Sequence, residues 1–254
     1  MTEGSESESE RLLRSIATWT DKRVRTDEFR KFKVKAIAYT LDHDDPFSDM
    51  EKPQGHFKFD EELEREHDLV MKYYQMLSAV NGLKQMEFYF RRYPFAGMGV
   101  SRADHLRNMC EMYFNHFYMF RERMKAALNT LNNILPTGRL DVGSVIKSYT
   151  KEFDRELRER NGVHHHESFD DVAIDKVMLT ELLTMAKDVD DPKHWRRREH
   201  LSAYRRASRE WAERARTRAK RVDSYAEAVA GAILTHAAFL TSEHGGADMP
   251  ESVH

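Results

Sequence analysis

One cysteine, Cys110, is too little for an intrachain disulfide or a thiolate metal site. That scarcity fits a reducing cytoplasm, where the chain is expected to act. The neighbours Met109, Met112 and Phe114 favour a buried apolar thiol over a reactive one. Proline and glycine are also sparse, 6 and 11 in 254 residues, which disfavours a strand-and-turn architecture. No apolar run reaches the ~20 residues a bilayer span needs. The acidic start, Met1 to Glu10, lacks the apolar core of a signal peptide. No glycine-rich phosphate loop occurs, and no spacing supports a Ser-His-Asp arrangement. A net charge of −2 gives no overall pull toward nucleic acid, so the distribution of charge matters more than its sum.

What remains is charge and helical rhythm. Charged residues make up 33% of the chain. From Asp60 to Arg92 the apolar positions Leu63, His67, Val70, Tyr74, Leu77 and Leu83 recur mostly three and four apart, which predicts a helix. Ser101, with Asp104 three residues on, reads as the cap of a second helix reaching about Leu135. Its stripe is Leu106, Met109, Cys110, Phe114, Phe117, Phe120, Met124, Leu128 and Leu131. A third helix is expected over Asp141–Arg160, a fourth over Phe169–Val189, and a last, very long one from about Lys193 toward Leu240. Residues 32–41 read as either a short strand or a helix. The expected organisation is an acidic tail over 1–10, an irregular or helical segment over 11–59, a bundle over 60–241 and a tail over 242–254. The fold class is all-α, an antiparallel helical bundle with a long basic C-terminal helix.

Chemistry concentrates at the end of the third helix, in Arg160-Asn161-Gly162-Val163-His164-His165-His166. Arginine is a permanent cation that grips phosphate with paired N–H groups. Histidine exchanges protons near neutral pH. Metal-free RNA cleavage needs such a pair: one group moves the 2′-hydroxyl proton and another takes the charge that builds on phosphorus. Gly162 is expected to end the helix, letting His165 swing back toward Arg160. An unbroken helix would instead suit the four-residue step to His164. His165 is favoured, with His164 and His166 as second choices and Arg158 as a nearby cation. The competing structural reading is a helix C-terminus whose cations complement the helix dipole.

The Arg160, Asn161, His165 pattern resembles that of the HEPN family (higher eukaryotes and prokaryotes nucleotide-binding domains). The likeness extends over roughly residues 100–190 in helical layout. It implies a helical bundle that dimerises so that two motifs face each other. It also implies metal-independent RNA cleavage needing no cofactor, with Arg160 holding the phosphate, Asn161 orienting and His165 transferring protons. Roles as a toxin or in antiviral defence, with a neutralising protein partner, follow from the resemblance alone.

A second feature is the last helix. Twelve Lys or Arg and three Glu lie between Lys193 and Arg221. Arg196, Arg197, Arg198, Arg205, Arg206 and Arg209 are candidates for the RNA backbone, since each neutralised phosphate releases counterions. Trp195, Tyr204, Trp211 and Tyr225 are expected mainly in the core, with base stacking as the alternative. His116 and Arg121 are weak candidates for the same cleft as Arg160. Glu64 and His67 form one Glu-x-x-His pair without a second, so no metal is assigned. The alternative to an enzyme is a non-catalytic helical module that binds RNA or a protein.

Overall fold

A computed structural model describes residues 6–45, 55–95, 99–135, 138–164, 169–186 and 194–241, apart from the side chains of Val163 and His164. The fold is all-α, and no strand occurs among the described residues. Nine α-helices follow in order among them: α1 Glu8–Trp19, α2 Asp27–Asp42, α3 Glu61–Arg91, α4 Arg102–Ile134, α5 Val142–Glu152, α6 Asp154–His164, α7 Val172–Met185, α8 Trp195–His236 and α9 Ala238–Thr241. A π-helical turn, Thr20–Val24, continues α1. The chain divides into two compact units, and the boundary falls within α3, α4 and α8. One comprises residues 1–71, 130–139 and 227–254; the other comprises 72–129 and 140–226. The span 60–241, expected as one bundle, is thus shared between them.

In the first unit, α1 begins earlier than expected. The Ser7 hydroxyl accepts from the Glu10 N–H, and the Glu10 carboxylate accepts from the Ser7 N–H, a complete capping box. Glu8 and Glu10 also suit the positive end of the helix. The acidic stretch therefore starts a helix from residue 8 instead of extending as a tail to residue 10. Leu12, Ile16 and Trp19 are buried one turn apart. The Trp19 indole donates to Glu66 at 2.7 Å, which satisfies its polar tip. The ambiguous stretch at 32–41 is helical. Thr26 caps α2 by accepting from the Phe29 N–H, yet no residue of α2 is buried. Phe29 and Phe32 instead meet Phe57 in an aromatic cluster.

The second unit is the bundle. α3 and α4 run antiparallel: the Arg123 guanidinium donates to the Gln75 carbonyl, the His116 ring lies against Gly82, and Tyr113 meets Phe90. A Cβ on Gly82 would come within 2.4 Å of the His116 ring, so glycine permits this approach. α5 and α6 run antiparallel to α8, with Glu152 bonded to Arg221 and Glu156 to Arg218. α7 is also antiparallel to α8, shown by the Lys176–Glu199 and Arg196–Leu183 pairs. Trp211 sits at the centre. It stacks on Phe90 and meets Tyr113, Phe114 and Phe169 edge-on. Tyr204 is likewise buried, as expected, whereas Trp195 is 58% exposed.

The third helix departs from expectation. It is kinked at Phe153 (φ −109°, ψ 25°) into α5 and α6. Backbone bonds persist on both sides, from Phe153 N–H to Tyr149 O and from Leu157 N–H to Phe153 O. The bend lets the fully buried Phe153 ring reach Phe117, Tyr149 and Tyr225. Gly162 does not end this helix; α6 continues through it to His164. A glycine inside a helix costs only about 1 kcal/mol, which the contacts of Phe153, Leu157 and Arg160 offset. α7 starts later than expected, at Val172, where the Asp171 carboxylate accepts from the Ala173 and Ile174 N–H groups.

Candidate functional site

α6 presents two charged faces with different neighbours. Glu156 is fully buried and faces α8, accepting two bonds from Arg218 (2.9 and 3.0 Å) and one from Arg214 (3.2 Å). Burial pushes its carboxyl up, but the bonds to Arg218 and Arg214 outweigh this and hold it below the ordinary range. Positions 153, 157 and 160 form the stripe toward α4. There the Arg160 guanidinium carbon lies 4.0 Å from the Tyr118 ring centroid, a close cation–π contact.

Arg160 is partly buried. Its Nη1 donates to the Asn161 side-chain oxygen at 3.3 Å, while its buried Nε has no acceptor. No carboxylate pairs with it among the described residues. Arg121 approaches the same Tyr118 ring at 5.0 Å and pairs with Glu122 at 2.8 Å. The structure therefore brings Arg160 and Arg121 over one tyrosine that the sequence does not single out, with Asn161 bonded to Arg160. Arg158 is turned away, bonded to Asp154 at 2.6 Å in an exposed pair. His165 and His166 lie outside the described residues, and His164 is described only as the end of α6. His116 does not share the site: it packs toward α3 against Gly82. Burial, followed by the Arg123 charge, pushes its pKa down.

The six arginines expected to meet RNA separate into three groups. Arg198, Arg205, Arg206 and Arg209 are exposed along one face of α8, lining a shallow concavity of about 850 Å³ with Leu201 and Ser202. None of the four is in an ion pair among the described residues. Arg196 instead donates to the carbonyls of Leu183 and Ala186, both at 3.2 Å, and so caps the C-terminus of α7. One nitrogen of its guanidinium is thus engaged within the fold. Arg197 lines a different cavity with Arg102. Further along α8, Arg214, Arg218 and Arg221 are held by Glu156 and Glu152. The acidic residues of α5 and α6 carried a usable signal for this, being spaced four apart opposite a basic helix.

Among the described residues, no three His, Cys, Asp or Glu side chains gather as a metal site. His67 packs its ring on Phe59, and burial lowers its pKa. Cys110 is buried; burial, then the Asp171 charge, pushes its thiol well up. No helix among the described residues is long and apolar enough to cross a membrane. No family model, curated protein or solved structure matches the chain.

Proposed function

We propose that the chain is a metal-independent endoribonuclease similar to HEPN proteins. The state of Arg160 carries this reading. A partly desolvated guanidinium without a counter-charge is costly, and a bound phosphate would supply that charge. Tyr118 holds the group in place, and its partnerless Nε is a donor awaiting an acceptor. Arg121 adds a second cation, partly offset by Glu122.

In the reaction, a histidine of the 164–166 run takes the 2′-hydroxyl proton, and the 2′-oxygen attacks phosphorus. Arg160 receives the charge of the phosphorane, with Asn161 orienting its guanidinium. The 5′-oxygen leaves with a proton given back by the imidazolium of the same run, yielding a 2′,3′-cyclic phosphate and a 5′-hydroxyl and restoring the neutral histidine. His165 is the first choice for the proton. The unbroken α6 raises the weight of His164, since position 164 lies one turn beyond position 160. A homodimer with facing motifs, a toxin or antiviral role and a neutralising partner belong to the same proposal.

The test is cleavage of mixed-sequence single-stranded RNA with EDTA present. Wild type should cut, and Arg160→Ala should cut about 10²–10³-fold more slowly with unchanged helicity. His164→Ala and His165→Ala identify the proton carrier. Undiminished cleavage in Arg160→Ala, or in every histidine variant, would sink the assignment.

The unpaired face of α8 favours a second reading, a non-catalytic module that binds RNA along Arg198, Arg205, Arg206 and Arg209. Such a protein binds with steep salt dependence and leaves the RNA intact.

A further inference from the structure

Neither reading uses the cavity where α8 begins. It encloses about 390 Å³ and is lined by Arg102, Glu181, Thr184, His194, Arg197 and His200 among others. Two helices start there. Arg102 is the first residue of α4 and His194 immediately precedes α8, so the positive ends of two helix dipoles lie beside the cavity. Arg102 and Arg197 form no ion pair among the described residues. The Arg102 guanidinium is fixed instead over the rings of Tyr93 and Tyr204, at 4.7 and 5.6 Å.

His200 is the second, independent observation. It is only 4% exposed. Its Nδ1 lies 3.3 Å from both the Val177 carbonyl and the Thr180 hydroxyl. A carbonyl can only accept, so Nδ1 carries the proton and Nε2 is left as a bare acceptor. Nε2 is buried and has no partner. A buried polar atom left unsatisfied is expensive. The missing occupant must therefore combine negative charge, for the two arginines, with a hydrogen-bond donor for Nε2. Glu181 also lines the cavity, and two cations against one carboxylate leave a site suited to a small anion.

We infer that this cavity binds a phosphate group in its singly protonated form, as hydrogen phosphate or as a phosphomonoester that takes up one proton from solvent on binding. Its charged oxygens accept from Arg102 and Arg197, and its P–OH donates to His200 Nε2. Sulfate has the same shape but carries no proton at neutral pH, so it is the discriminating control.

The experiment is calorimetric titration of the full chain at pH 7 and matched ionic strength with inorganic phosphate, ribose 5-phosphate and sulfate. Phosphate or the monoester should bind at least about 10-fold more tightly than sulfate. Whichever of the two binds more tightly identifies the natural form. Arg197→Ala, at an exposed position, and Arg102→Met should each weaken binding by about 10-fold or more. A ¹⁵N spectrum of the histidines gives a readout independent of any variant's folding: the His200 Nε2 signal should move on adding phosphate and stay still with sulfate. Equal affinity for sulfate, no binding, or binding that both arginine variants leave unchanged would overturn the proposal.

Discussion

Two stretches of α8 have nearly the same composition and opposite fates. From Arg198 to Arg209, four arginines stand exposed and unpaired. From Arg214 to Arg221, three are tied to Glu156 and Glu152. Charge counted along the chain treats the two as one basic helix. Register separates them, because the second set faces α5 and α6 while the first does not. Cations facing a buried carboxylate serve the fold, and cations facing solvent are available to a ligand.

The comparison breaks most sharply at Glu156. Replacing it with alanine strands Arg214 and Arg218 without their partner. We expect a loss of about 3–5 kcal/mol in urea unfolding at pH 7; a loss under ~1 kcal/mol would mean that the buried pair does little for the fold. Its pH dependence has a definite sign. The folded carboxyl lies below its ordinary value, so its stabilisation is complete above the unfolded range, near ~4.3, and fades as pH falls through the folded value. Melting temperatures from neutral to acid pH should therefore fall more steeply for wild type than for Glu156→Gln.

The exposed stretch sharpens the contrast through salt. If it meets a nucleic acid backbone, Arg205→Ala with Arg209→Ala should lower the slope of log affinity against log salt by about 2. The same double change at Arg216, which pairs with Glu213 at 2.7 Å, and Arg221 should leave the slope nearly intact. Equal changes from both pairs would erase the distinction drawn here. The smallest effect is expected at Arg158, whose exposed pair with Asp154 should contribute less than about 0.5 kcal/mol to thermal stability.

Helix existence was legible wherever one face is much more apolar than the others. On α4, Leu106, Cys110, Phe114, Phe117, Phe120, Met124, Leu128 and Leu131 are buried as the spacing predicts, while Met109 of the same stripe is only half-buried. On α3 the same approach slipped. Tyr74 is 43% exposed, while Tyr73, Met76 and Met86 are buried, because apolar residues surround this helix and neighbouring positions compete. α2 was ambiguous for a related reason: it buries nothing, so no face was selected. At the site, residue chemistry pointed to Arg160 and Asn161, but their surroundings were not readable. Tyr118 reaches Arg160 from a helix more than forty positions away in the chain. The fate of Gly162 depended on tertiary contacts made by its own helix upstream, which local propensity does not encode.

The contact between Gly82 and His116 has a consequence for how this chain can change. The imidazole fills space that a side chain at position 82 would otherwise occupy, so the two positions share a single volume between α3 and α4. Neither is free to drift alone. A larger residue at 82 becomes tolerable when 116 shrinks, and the two sites should be inherited as a matched set.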